Sequence, residues 1–182
     1  MSKKPTMSPV RRAEAFRLIR ETRDAVHWID RYVDGAVEDA KKIYHVRFQD
    51  DERFLALIFP EMDGCRILTP PDEPRTLRHV ANRIIYNEWT FDDLVEDMGL
   101  DARLHDPGMF VKSRYLDEKF DYEKFGMLIL APSTEEEREQ SQDGSFFIYD
   151  GFHRSLVLAK YLLEEEVDYQ QVEGILVIPR PL

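Results

Sequence analysis

Residues 146–163 read FFIYDGFHRSLVLAKYLL. An apolar run breaks at Asp150-Gly151, and Leu156, Leu158, Ala159, Leu162 and Leu163 then recur at helical spacing. The pattern predicts a strand handing over to a helix from about His153 to Glu166, with a His-Arg pair at the helix mouth. What surrounds this junction decides the fold.

Upstream, FGMLIL (125–130) reads as a strand closed by Ala131-Pro132, and the polar stretch STEEEREQSQDG (133–144) ends in an Asp-Gly turn signal. Downstream, Gly174 precedes ILVIP (175–179), a further strand. The expected order is strand, loop, strand, helix, strand. Residues from about Ser8 to Ile43 read as helical, with Ser8-Pro9 as N-cap and first-turn proline, Ala15, Leu18 and Ile19 at helical spacing, and Trp28, Ile29, Tyr32 and Val33 as an apolar face. Gly35 is expected to separate a first helix from a second containing Val37, Ala40 and Ile43.

FLALIF (54–59), ended by Pro60, predicts a buried strand. Met62-Asp63-Gly64 is an expected turn and CRIL (65–68) an expected paired strand. TPPDEP (69–74) reads as a connector, and Leu77, Val80, Ala81, Ile84 and Ile85 as a helix face. Thr90 is a cap for a short helix, Phe91 to Met98, ending at Gly99. From Gly99 to Asp121 only the turn at Asp106-Pro107-Gly108 is legible. The expected class is α+β, with residues 1–50 as a helical N-terminal segment and 51–182 as an α+β domain.

The chain has 182 residues, enough for one such domain, and its 43% hydrophobic content supports a core. A lone cysteine, Cys65, excludes an internal disulfide and a multi-thiolate zinc site. No apolar run nears the ~20 residues of a membrane span, and the basic N-terminus lacks a signal-peptide core. A cytoplasmic protein with no membrane attachment is expected. The net charge of −11 divides into roughly +3 over the first fifty residues and roughly −14 over the rest. An acidic body disfavours non-specific DNA binding through charge, and it suits a basic protein partner or plain solubility. Arg11, Arg12, Arg17 and Arg20 cluster near the start, either as a solvated helix face or as contacts to phosphate or an acidic partner.

At the junction, Gly151 permits a backbone geometry that a side chain would block. The first turn of the following helix presents amide N–H groups that, with the helix dipole, favour phosphate. Arg154 offers forked donors, His153 a donor or a titratable proton carrier, and Ser155 a hydroxyl. Asp150 is placed to act as a base, to hold His153, or to bind a divalent metal such as Mg that accompanies phosphate. Asp-Gly is also a common turn pair, so a simple turn stands beside the site reading. His27, His45, His79 and His105 form no spaced metal motif and read as structural or surface histidines.

With its flanking strands, the segment FGMLILAP, SFFIYDGFHRSLVLAKYLL, GILVIPRP resembles the core of the ParB/sulfiredoxin-like superfamily, over about residues 110–180. The resemblance implies a mixed sheet with packed helices and nucleotide phosphate bound at the junction. Gly151, His153 and Arg154 would contact it, with Asp150 beside them. It implies an activity among nucleotide hydrolysis, nucleic-acid cleavage and phosphoryl transfer; some plasmid-borne members instead interfere with conjugation. Two departures narrow this. Phe152 stands where sulfiredoxins carry their reactive cysteine and where chromosome-partitioning ParB proteins carry a glutamate. No DNA-reading helix-turn-helix is expected before Leu182. The leading expectation is a nucleotidase or nuclease using Asp150, His153 and Arg154. The rival is a non-catalytic interaction or inhibitor protein that keeps the phosphate site.

Overall fold

The computed structural model describes residues 3–22, 27–60, 68–89, 122–135 and 146–180. Its architecture is α+β. Five strands, β1 (Thr6–Pro9), β2 (Ala40–Phe48), β3 (Leu128–Pro132), β4 (Phe146–Asp150) and β5 (Val172–Pro179), form one mixed sheet in the order β1-β2-β5-β3-β4. β3 runs parallel to β5; the other pairs are antiparallel. The described helices are α1 (Arg12–Glu21), α2 (His27–Asp39), α3 (Asp51–Leu55), α4 (Leu77–Tyr86) and α5 (Phe152–Leu163), with a 3-10 turn at Tyr122–Lys124.

Helices cover both faces of the sheet. On one face, α4 and α5 pack together and bury Leu77, Val80, Ile84, Leu156 and Val157 against Val46, Phe48, Leu128, Leu130 and Leu176. On the other, Ala15, Ile19, Val33 and Val37 of α1 and α2 close over Ile43, Ile129, Ile175 and Val177. Each large apolar side chain so buried contributes ~1.5–3 kcal/mol. The N-terminal helices therefore belong to the core through Ala15, Ile19 and Val33; the side chains of Trp28, Ile29 and Tyr32 lie outside the described set.

In the C-terminal part the order strand, strand, helix, strand is as expected, with shifted ends; the expected loop between the first two strands lies mostly outside the described residues. β5 begins before Gly174 because Val172 and Glu173 already pair with Phe48 and Arg47 of β2, and Gly174 itself lies close against β3. A Cβ there would come 3.0 Å from Leu130 Cδ1 and 3.2 Å from the Leu128 carbonyl oxygen.

Two readings upstream need correction. Ser8 and Pro9 lie in β1, and Ile43 in β2, not in a helix. Val33, Val37, Ala40 and Ile43 follow helical spacing, but from Ile43 to Phe48 the side chains alternate between sheet faces, a strand rhythm that the helical spacing masks. Pro9 suits β1, an edge strand with little need of its missing N–H. Gly35 lies inside α2, where a Cβ would meet nothing within 4 Å.

FLALIF is buried as expected but is not a strand. Phe54 and Leu55 end α3, and Ile58 makes isolated bridges to Thr76 and Phe147. The cause is the preceding Asp50: its Oδ1 accepts from Arg53 N at 3.0 Å and caps α3. The expected turn at Met62-Asp63-Gly64, Cys65 with most of CRIL, Thr90 and the helix to Met98, the turn at Asp106-Pro107-Gly108, His105 and the Asp143-Gly144 turn lie outside the described residues. Among the described residues no helix is long and apolar enough to cross a membrane.

Candidate functional site

Pairing with β3 delivers β4 to the junction. Ile129 stands opposite Asp150, with a register irregularity before Leu130. Gly151 follows with φ 96 and ψ 12, the left-handed region, and α5 starts at Phe152. Added to Gly151, a Cβ would lie 2.6 Å from Leu128 Cδ2 and 2.7 Å from Arg154 Nη2. Both the backbone angle and the close neighbours call for glycine here. The N-cap residue of α5 is Gly151, which has no side chain of its own to cap the helix, and the partial positive charge of the first turn faces the mouth.

The expected site residues divide by direction. Arg154 folds back over Gly151: Nη2 donates to the Met127 carbonyl at 2.8 Å and lies 3.7 Å from Asp150 Oδ2. Its guanidinium carbon sits 5.8 Å from the centre of the Phe125 ring, a cation–π distance. The Arg154 and Asp150 side chains are only 20% and 17% exposed, so this pair is part of the packed junction. Ser155 is fully buried, and its hydroxyl donates to the Gly151 carbonyl at 2.8 Å, which directs it into the turn instead of toward a ligand.

His153 is half-buried at the mouth, its ring centre 4.2 Å from that of Phe152. Phe152 itself meets Phe59 edge-to-face at 5.6 Å. The residue that departs from the sulfiredoxin and ParB patterns thus anchors the start of α5 to the buried FLALIF segment. The structure brings Asp150, Gly151 and Arg154 together, stands His153 beside them, and turns Ser155 inward.

A second polar cluster on the same end of the sheet is not apparent from single residues. His45, nearly buried, has Nε2 2.7 Å from Glu173 Oε2 and Nδ1 3.2 Å from Arg47 Nη2. Arg47 Nε also lies 3.3 Å from Glu173 Oε1, which accepts from Gln171 Nε2 at 2.7 Å. An arginine donating to Nδ1 matches a neutral imidazole that donates from Nε2 to the carboxylate. The available signal was the strand alternation placing His45 and Arg47 on one face; their partner appears only when Arg47 pairs with Glu173 in register. His79, also expected to be structural, shares a 2.6 Å hydrogen bond between Nδ1 and Thr76 Oγ1, the cap of α4. Burial, then the charges of Arg83 and Arg78, lower its pKa from the ordinary histidine value.

Among the described residues no three His, Cys, Asp or Glu side chains gather as a metal site. Asp150, already beside a guanidinium, is a poor resident-metal ligand, but one carboxylate can share a Mg ion that arrives with phosphate oxygens. Comparison with protein-family models, curated proteins and solved structures finds no match to this chain.

Proposed function

We propose that this chain is a ParB/sulfiredoxin-like protein that binds a phosphate group of a nucleotide or nucleic acid at the mouth of α5. The observation that carries the reading is Gly151: a left-handed residue that follows β4 and serves as the N-cap of α5 without a side chain of its own. Amides of that turn would hold the phosphate oxygens, and the helix dipole favours their charge. His153 would add a donor or carry a proton. Arg154, held by the Met127 carbonyl, would act mainly through its charge, which reaches the mouth without the side chain leaving its anchor. Ser155 shapes the turn.

Catalysis would be hydrolysis of a nucleotide or cleavage of nucleic acid. Water attacks phosphorus, Asp150 or His153 accepts its proton, and the alcohol or phosphate leaving group departs. A Mg ion supplied with the ligand would neutralise phosphate charge, with Asp150 as its protein ligand.

A second reading has its own support. Asp150, the carboxylate at the mouth, already has the Arg154 guanidinium at 3.7 Å, so it stands beside a cation before any substrate or metal arrives. This favours a non-catalytic interaction or inhibitor protein, whose net charge of −11 suits a basic protein partner. Calorimetric titration with ATP, GTP and an oligonucleotide, beside turnover assays with and without Mg, tests both. Binding lost in His153→Ala, together with turnover, supports the enzyme; binding without turnover supports the second reading; no binding overturns both.

A further inference from the structure

The sheet end opposite Gly151 carries a separate cationic feature. There Pro9 to Arg12 and Ala40 to Tyr44 line a cavity of about 530 Å³, within the range of small-molecule sites. Four of its lining residues are Arg11, Arg12, Lys41 and Lys42.

The local fold concentrates these charges. A regular strand would turn one of two consecutive lysines toward the covered face. The register irregularity between Ala40 and Lys42 leaves both exposed. Arg12 is fixed at the wall, with Nε and Nη2 donating to the carbonyls of Val37 and Ala40, each at 3.2 Å. Val10 N donates to the Ile43 carbonyl at 3.1 Å and joins the two lining segments. The other arginines of the N-terminal cluster are spent elsewhere: Arg17 pairs with Glu21 at 3.0 Å, and Arg20 lies over Phe16. Glu14, Glu38 and Asp39 flank the lining without entering it.

We propose that this cavity is a second anion site, which takes the polyphosphate group of a small molecule. Four like charges around one concavity repel each other unless an anion is present, and several close phosphates match them. Nucleic acid is the less favoured ligand at this cavity, because Glu14, Glu38 and Asp39, near the lining in sequence, disfavour an extended polyanion that runs past it. A compact polyphosphate presents no such extension.

The test uses inorganic triphosphate and a single-stranded oligonucleotide as probes, on the full chain. The readout is the backbone amide shifts of residues 10–12 and 41–43, which binding at the distant junction does not move. Expected are saturable shifts with triphosphate, about tenfold weaker in Lys41→Gln/Lys42→Gln and weakened in Arg11→Gln. These side chains are exposed, so thermal melts should match the parent. His153→Ala should leave the shifts unaltered, which separates this site from the junction. Absence of triphosphate shifts, equal affinity in the lysine variant, or saturation by oligonucleotide at lower concentration than by triphosphate would each overturn the proposal.

Discussion

Arg154 and Met127 are 27 residues apart in the chain, and a hydrogen bond of 2.8 Å from Nη2 to the Met127 carbonyl ties the first turn of α5 to the start of β3. The same guanidinium lies beside Asp150, at the end of β4, and over Phe125. One side chain thus joins three elements at the junction, and an arginine that reads from sequence as a ligand group has a structural duty.

Arg154→Ala should therefore destabilise the fold. A hydrogen bond from a charged donor contributes about 1.5–3 kcal/mol, and the cation–π contact about 0.5–1 kcal/mol more. Denaturant unfolding should show a loss of about 2–4 kcal/mol at unchanged slope. Arg154→Lys should recover only part of it, since a point charge cannot reproduce the planar fork. A melting temperature equal to the parent's would remove the structural role.

Gly151→Ala should cost more than an ordinary surface substitution. The left-handed angle alone costs an L-residue about 1–2 kcal/mol, and the new Cβ would press on Leu128 and Arg154. Loss of a cooperative transition, or a stability drop of at least about 2 kcal/mol, is the expected outcome in the same unfolding assay.

Glu173→Ala should expose the dependence of His45 on its carboxylate partner. With Glu173 removed, Nε2 of a nearly buried ring loses its 2.7 Å acceptor, at a cost of about 1–3 kcal/mol. Equilibrium unfolding of Glu173→Ala, His45→Ala and the double variant would give a coupling energy; additivity would show that the contact contributes nothing.

His79 sets a pH dependence. Its folded pKa is lowered, so the unfolded chain takes up the proton first as pH falls through ~6.5. This contribution to stability is greatest above that value, declines as pH drops toward the folded pKa, and levels off below it. Melting temperatures across pH 5 to 8 should therefore fall less steeply on the acidic side in His79→Asn than in the parent. A steeper fall would reverse the sign of the inference.

Where local chemistry and tertiary demand agree, the sequence is enough. Phe146 to Leu163 reads correctly as strand, glycine and helix, because an apolar run, a residue that tolerates positive φ and a Leu-rich helical period all act within a few residues. Leu77 to Tyr86 is legible from its helical period alone, and the structure adds Thr76 as its cap. Where two patterns compete, the local reading misleads. The spacing of Val33, Val37, Ala40 and Ile43 fits a helix, but pairing with β5 draws the last two into β2. The acceptor at Asp50 winds Phe54 and Leu55 into α3, overriding an apolar run that suits a strand equally well.

For the junction, the sequence determined which residues meet at the helix mouth; the tertiary structure decided which way they face. Phe152, Arg154 and Ser155 carry no mark of direction in the chain itself. Phe59, the Met127 carbonyl and the Gly151 carbonyl supply it. Phe59 and Met127 come from segments far along the chain, and Gly151 offers its carbonyl only once β4 has turned into α5. The partner of Arg47 and His45, and the gathering of Arg11, Arg12, Lys41 and Lys42 around one cavity, were likewise settled by strand register. Side-chain direction is a property of pairing and packing between distant segments, and periodicity within one segment does not encode it.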